Sequence, residues 1–278
     1  MAQDITLLGA SYSAVPAVVL PKTGGGSASF TDVTDTTAAA EDVASGKYFY
    51  TASGERTEGT ASGGGGWTTD GIANNSEPSG AINITVNIGE FAFRSVSGIT
   101  SVTATSTSCG TSAFQNCQYI TTVSMPNLTS CGTQAFYNCR RLETISLPKL
   151  TGSVEQGFYD CRELISADLS ALTGVASRCF QNCYKLTALD LPKVTSISNN
   201  GLESCRTLSA LILRHTSVVT LSNVNAFNNT PMRGYNSTNG TIYVPSSLIS
   251  SYKSASNWSS LFGEGYVTFS AIEGSIYE

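Results

Sequence analysis

Hydrophobic and polar positions between residues 114 and 213 recur with a period of 22. Phe114-Gln-Asn-Cys117 returns as Phe136-Tyr-Asn-Cys139, Phe158-Tyr-Asp-Cys161, Phe180-Gln-Asn-Cys183 and Leu202-Glu-Ser-Cys205. Three residues after each cysteine stands an apolar residue: Ile120, Leu142, Leu164, Leu186 and Leu208. Two more follow, three and five positions on: Val123/Met125, Ile145/Leu147, Ala167/Leu169, Leu189/Leu191 and Leu211/Leu213. This alternation turns pairs such as Ile145 and Leu147 to one face, as a short strand does. Pro126, Pro148 and Pro192 then end the run, because proline donates nothing to a ladder. One such unit is too small to bury its own leucines. A fixed period in this range predicts a solenoid of stacked coils with a parallel sheet and a continuous core of Leu, Phe and Cys. At ~4.8 Å per strand, five coils give a rod on the order of 25 Å long.

The pattern F-x-N-C-x-x-L-x-x-I-x-L-P resembles the BspA-like leucine-rich repeats of bacteria and phages, over about residues 85–245. That resemblance implies a leucine-rich repeat solenoid with its parallel β-sheet on the concave side and irregular or short helical segments opposite. It also implies binding rather than catalysis. Leu202 departs from the phenylalanine column, Ser170 and Arg214 from the proline column. The next turn, Phe227-Asn-Asn-Thr230, lacks the cysteine and starts 25 residues after Leu202, which reads as relaxation toward a capped end.

The flanks differ in kind. Apolar runs at 5–8 and 15–20 predict a small strand pair, too slight to form a domain alone. Residues 35–46 have helix-like composition, with Asp35 or Thr36 as cap and Gly46 as stop. Residues 47–60 predict a hairpin turning at Ser53-Gly54. The opening and the pattern D-T-T-A-x-x-x-D-V-x-x-G-K-x-F-Y-x-x-x-G-x-x-x-x-G-T are similar to a module of tail-fibre and other virion proteins of phages infecting Gram-positive gut bacteria. Residues 1–62 are therefore expected to form a small α+β/β anchoring module that contacts other virion proteins and supports homo-oligomers. Residues 63–80 are a Gly-rich linker holding Gly63–Gly66 and Trp67. Residues 81–245 form the solenoid, whose first turn (82–93) is expected to be irregular. Residues 246–278 cap it with a helix, a plugging Trp258 and a final strand.

Composition narrows the function. Charged residues are only 13% of the chain, and the net charge is −5. Residues 1–80 carry three basic and nine acidic side chains, residues 81–245 eleven and eight, and the tail one and three. A repeat region at +3 is too weakly basic to predict nucleic-acid binding. No apolar run reaches the about 18 residues of a membrane span. The first residues lack a basic and apolar leader, which suits assembly in a host cytoplasm and display on a virion surface. Of the eight cysteines, five fall in the repeat column, where a buried thiol is expected, and Cys109 and Cys131 form a second column. Cys179 and Cys183 lack the further nitrogen or sulfur ligands zinc would need, since His215 is the only histidine. No metal or cofactor is expected, and no nucleophile or phosphate motif suggests an enzyme. Asp168 and Asp190 fall in one outward column at a spacing of ~5 Å, which reads as a solvated pair rather than a glycosidase dyad.

Binding has better support. The two positions after each repeat cysteine stack into a ridge containing Tyr119, Arg140, Arg141, Arg162, Tyr184, Lys185 and Arg206. Arginine suits phosphate and carboxylate, and tyrosine gives a sugar a face to lie on. The expected ligand is a cell-surface glycan or teichoic acid. The expected role is a tail-fibre or baseplate protein. A head fibre or decoration protein on the capsid and a bacterial adhesin are the alternatives.

Overall fold

The computed structural model describes residues 80–278 except Val86, together with six strands among the first 65 residues. The chain divides into two compact units, Met1–Gly65 and Gly66–Glu278.

In the first unit Gln3–Leu7 pairs antiparallel with Ala10–Val15, Val18–Pro21 with Ser27–Phe30, and Tyr48–Tyr50 with Arg56–Glu58. The second apolar run is divided between two hairpins: Val15 lies in the strand that pairs with Gln3–Leu7, whereas Val18–Pro21 pairs with Ser27–Phe30. The helix expected over residues 35–46, the turn at Ser53-Gly54, the glycine linker and Trp67 lie outside the described residues.

The second unit is a parallel solenoid. One face is a five-stranded sheet ordered from Ser166–Asp168 through Thr144–Ser146, Thr122–Ser124 and Ile99–Ala104 to Gly80–Ile84. It is followed by a four-stranded sheet from Ala188–Asp190 through Ala210–Ile212 and Gly240–Val244 to Val267–Ala271. The first turn combines a strand, Gly80–Ile84, paired with Ile99–Ala104 through a register irregularity between Gly80 and Ala81, with a segment up to residue 93 whose described residues hold only an isolated bridge at Ile88. Strands of the interior coils keep the 22-residue register, as in Val123 opposite Ile145 and Leu189 opposite Leu211. Inward residues of each strand, such as Val123, Ile145 and Leu189, are buried in one continuous core.

The opposite wall explains the Phe-x-Asn-Cys signature. Phe93, Phe114, Phe136, Phe158 and Phe180 stack ring on ring, with centroids 5.0–5.8 Å apart. The residue before each cysteine (Asn116, Asn138, Asp160, Asn182, Ser204) has a positive φ of 59–67°. A second residue per coil (Ser112, Gln134, Gln156, Arg178, Asn200) is left-handed too. Asparagine and aspartate tolerate that conformation better than other side chains, which accounts for the polar column. Each column cysteine points its thiol at the carbonyl of a phenylalanine in the preceding coil. Sγ–O distances are 2.8 Å for Cys117 to Phe93 and 3.2 Å for Cys139 to Phe114. Gly110 is required by close approach, since a Cβ there would lie 2.5 Å from the Glu90 nitrogen.

All eight cysteines are free, and only Cys131 is less than fully buried. Desolvation pushes the thiols of Cys139, Cys161, Cys179 and Cys183 above their ordinary range. Cys109 moves the same way, first through its hydrogen bond with the Cys131 thiol and then through burial. A brief maleimide pulse on native protein is expected to label Cys131 ahead of the other seven, as peptide mapping would reveal. Because the folded-state thiol values lie above the unfolded one, their contribution to stability is complete below pH ~8.5 and declines as pH rises beyond it. Melting temperature is expected to hold from neutral pH to about 8 and fall above about 9.

The C-terminal end carries two short helices, α1 (Ile249–Ser254) and α2 (Trp258–Gly263), where one was expected. Trp258 and Tyr252 are fully buried. Trp258 Nε1 donates to the Val219 carbonyl at 2.6 Å, and the Val219 amide donates to the Tyr252 hydroxyl at 3.0 Å. No helix among the described residues is long and apolar enough to cross a membrane.

Candidate functional site

The ridge forms where each chain turn leaves the buried cysteine and has two residues to spend before the next inward leucine. The contacts of its seven expected residues are of two kinds. Arg140, Arg162 and Lys185 are committed to counter-charges. Arg140 Nε lies 3.1 Å from Asp160 Oδ2, and Arg162 Nε lies 2.9 Å from Asp160 Oδ1. Lys185 Nζ lies 2.5 Å from Glu163 Oε2. Asp160 occupies the asparagine column with its side chain only 7% exposed, so it is a nearly buried carboxylate held by two guanidinium groups.

Arg141 and Arg206 make no ion pair among the described residues. Each instead lies over tyrosine. Arg141 sits 5.0 Å from the centre of the Tyr119 ring, and Arg206 4.3 Å from that of Tyr184. Arg162 takes the other side of Tyr184 at 5.6 Å, and Arg206 also lies 5.6 Å from the Tyr235 ring. The result is an alternating Arg162–Tyr184–Arg206–Tyr235 stack, with a separate Tyr119–Arg141 pair toward the other end. A guanidinium lying on a ring keeps its edge donors free for carboxylate or phosphate oxygens. Three participants were not among the expected ligand-binding residues. Asp160 and Glu163 hold the counter-charge; Asp160 was visible as a carboxylate in an asparagine column. Tyr235 belongs to the stretched last coil, outside the 22-residue register.

The sheet face offers less. Its outward positions are mostly Ser and Thr through the first coils, as in Thr122, Ser124, Thr144 and Ser146. Toward the C-terminal end Ala210, Ile212 and Ile272 form a second small apolar cluster, with Tyr243 and Tyr277 against it. Tyr277 is tied down where its carbonyl accepts from Arg214 Nη2. The strands carrying Asp168 and Asp190 pack against each other although they belong to different sheets. Each carboxylate has a polar partner: Ser146 Oγ at 3.3 Å for Asp168, the Arg214 guanidinium at 2.9 Å for Asp190. Arg214, expected only as a lapse from proline, is the residue that pairs with Asp190. His215 contacts Ser217. Among the described residues no cluster of His, Cys, Asp or Glu is arranged to hold a metal ion.

A depression of about 410 Å³ lies at the N-terminal end of the ridge, lined by Ser95, Ser97, Asn116, Gln118, Tyr119 and Asn138.

No curated protein matches the sequence. The fold is similar to a crystal structure of a leucine-rich repeat protein from Bacteroides ovatus, at 19% identity and a TM-score of 0.50, over 69% of this chain and 51% of that one. This chain thus spans about half the length of that protein. A leucine-rich repeat protein of T. pallidum is similar at 18% identity and TM-score 0.44, covering 81% of this chain and 96% of that one. A leucine-rich cell surface protein of Faecalibacterium prausnitzii gives 17% identity and TM-score 0.36, over 59% and 66%. The family described as BspA type leucine-rich repeat region matches in six copies, across residues 86–209 and 154–256. With those copies covering more than half of its length, the chain belongs to the BspA-type leucine-rich repeat family.

Proposed function

We propose that the chain is a non-catalytic display protein whose solenoid binds an anionic surface glycan, such as teichoic acid, along the arginine–tyrosine ridge. The observation that carries this reading is the pair of arginines, Arg141 and Arg206, stacked on tyrosine with no carboxylate partner among the described residues. A guanidinium consumed by an internal ion pair has little left for a ligand; one resting on a ring is held in place with its donors free. Residues 1–62 anchor the protein to a virion as part of a homo-oligomer, with the solenoid exposed on the particle. Support for that part comes from the resemblance of the first 60 residues to phage tail-fibre proteins. A capsid decoration protein is the second reading, favoured by the plain Ser/Thr sheet face. A bacterial surface adhesin would use the same ridge.

The test is binding of the labelled full-length protein to intact Gram-positive cells and to purified teichoic acid. Saturable binding is expected, weakening steeply with salt and falling at least tenfold in the Arg141→Ala/Arg206→Ala variant. Arg162→Ala is expected to do less to binding and more to folding, because it leaves Asp160 short of a partner. Binding by wild type that is unchanged in the double variant would reject the ridge. No binding to any cell would favour decoration.

A further inference from the structure

The ridge has a step at its N-terminal end. In an interior coil, Tyr184 is flanked by the long side chains of Arg162 and Arg206. Tyr119 has Arg141 on one side only. Phe93 stacks on Phe114, so the preceding coil brings Ser97 and Gly98 level with Gln118 and Tyr119. These small residues leave Tyr119 47% exposed above a depression of about 410 Å³. That volume falls within the about 300–1,000 Å³ of small-molecule sites. No lining residue is charged, so the step differs in kind from the ridge beside it.

The polar groups in the step are ordered by a directional chain. Asp160 holds the Arg140 guanidinium, and Arg140 Nε donates to Asn138 Oδ1 at 2.7 Å. Asn138 Nδ2 donates to Asn116 Oδ1 at 2.8 Å, and Asn116 Nδ2 to Ser95 Oγ at 3.4 Å. From the Arg140 guanidinium, whose one Nε–H is shared between Asp160 Oδ2 and Asn138 Oδ1, each link donates toward the step and polarises the next. The left-handed backbone at Asn116 and Asn138 fixes where these amides start. At the end of the chain Ser95 accepts from Asn116, which leaves its own O–H to give away. The amides and hydroxyls in the step offer both donors and acceptors, the complement of a sugar hydroxyl, which is also both. Beside them stands an exposed aromatic ring on which the C–H face of a pyranose can lie. A depression at Arg233 and Glu264 lacks this character because its two charged groups pair with each other at 2.7 Å.

We propose that this step is a binding subsite for an uncharged pyranose unit, seated on Tyr119 and hydrogen-bonded by Ser95, Asn116, Gln118 and Asn138. It deepens the ridge reading and rests on it. The subsite takes a neutral sugar of the polymer whose anionic groups run along the arginines.

Saturation-transfer NMR tests this with the full-length protein and uncharged trisaccharides of glucose, galactose or N-acetylglucosamine. At least one is expected to receive saturation, with a dissociation constant on the order of 1 mM. Its signal is expected to persist from about 0.05 to about 0.5 M salt, where contacts between charges are screened. Tyr119→Ala is expected to weaken binding at least tenfold, and Tyr119→Phe to retain it. Arg206→Ala, distant from the step, is expected to leave the neutral sugar untouched while weakening teichoic acid. Absence of transfer from all three sugars, or transfer indifferent to Tyr119→Ala, overturns the subsite. If the neutral sugar binds through Tyr119 but Arg206→Ala leaves teichoic acid binding intact, the ridge reading fails and the subsite stands.

Discussion

Phe136→Ala is expected to destabilise the solenoid by about 3–5 kcal/mol. Phe136 is fully buried, with its ring 5.4 Å from Phe114 and 5.8 Å from Phe158. Its carbonyl also accepts the Cys161 thiol at 3.2 Å. Alanine at this position removes a ring from the middle of a column whose neighbours are fixed by backbone bonds between coils, including Phe136 N to Gly157 O at 3.0 Å. The walls therefore close poorly over the gap, which puts the cost near the upper end for such truncations. Leucine is already accommodated in this column as the fully buried Leu202, so Phe136→Leu is expected to cost less than half as much. Coils in a solenoid are stabilised chiefly by their neighbours, so the break falls between two blocks and not at one end. Urea unfolding followed by circular dichroism checks both variants. The alanine variant is expected to show a large fall in midpoint and, where the blocks separate, a broader transition. Equal midpoints for the alanine and leucine variants would show that the aromatic stack contributes little.

What could be read from the residues follows from which interactions repeat. The phenylalanine, cysteine and leucine columns recur at 22 because every coil meets the same neighbours, so pattern and packing carry the same information. The asparagine column was visible, but its cause, a left-handed residue before each cysteine, is a backbone property with no signature beyond the preference for Asn. Positions on the ridge were legible for the same reason as the core. Their electrostatics were not, because pairing depends on which side chain leans toward which coil. Arg140 and Arg162 both turn to Asp160, while Arg141, adjacent in sequence to Arg140, turns instead to Tyr119. Column reasoning placed Asp168 and Asp190 on adjacent strands but did not give their partners, Ser146 and Arg214, nor the break in the hydrogen-bonded ladder between those strands. Tyr235 and the Tyr277 contact with Arg214 come from segments outside the period, where no spacing pointed to them.

Trp258→Ala is expected to be at least as damaging as loss of the phenylalanine, for a different reason. Burial of the indole against Phe227, Tyr252 and Phe269 accounts for about 3–5 kcal/mol. Its Nε1 also satisfies the buried Val219 carbonyl at 2.6 Å. Leaving that acceptor without a partner adds about 1–3 kcal/mol. The other side of the same residue is handled by Tyr252, whose hydroxyl accepts from the Val219 amide. The two aromatic side chains thus grip one strand-free residue by both of its backbone polar groups, which is how helices α1 and α2 are latched onto the last coil. Tyr252→Phe tests the latch alone, since it removes one oxygen and no ring; a loss of about 1–3 kcal/mol is expected. Trp258→Phe removes the other hydrogen bond at some cost in volume. In the double variant the effects are expected to be less than additive, because once one hold on Val219 is gone the segment can move and find water for the other. Thermal melts of the four variants, with proteolysis mapping the first cut, decide the matter. Cleavage beginning within residues 215–260 while the earlier coils stay protected is expected; strict additivity with no change in the first cut would mean that the two aromatics act as packing alone.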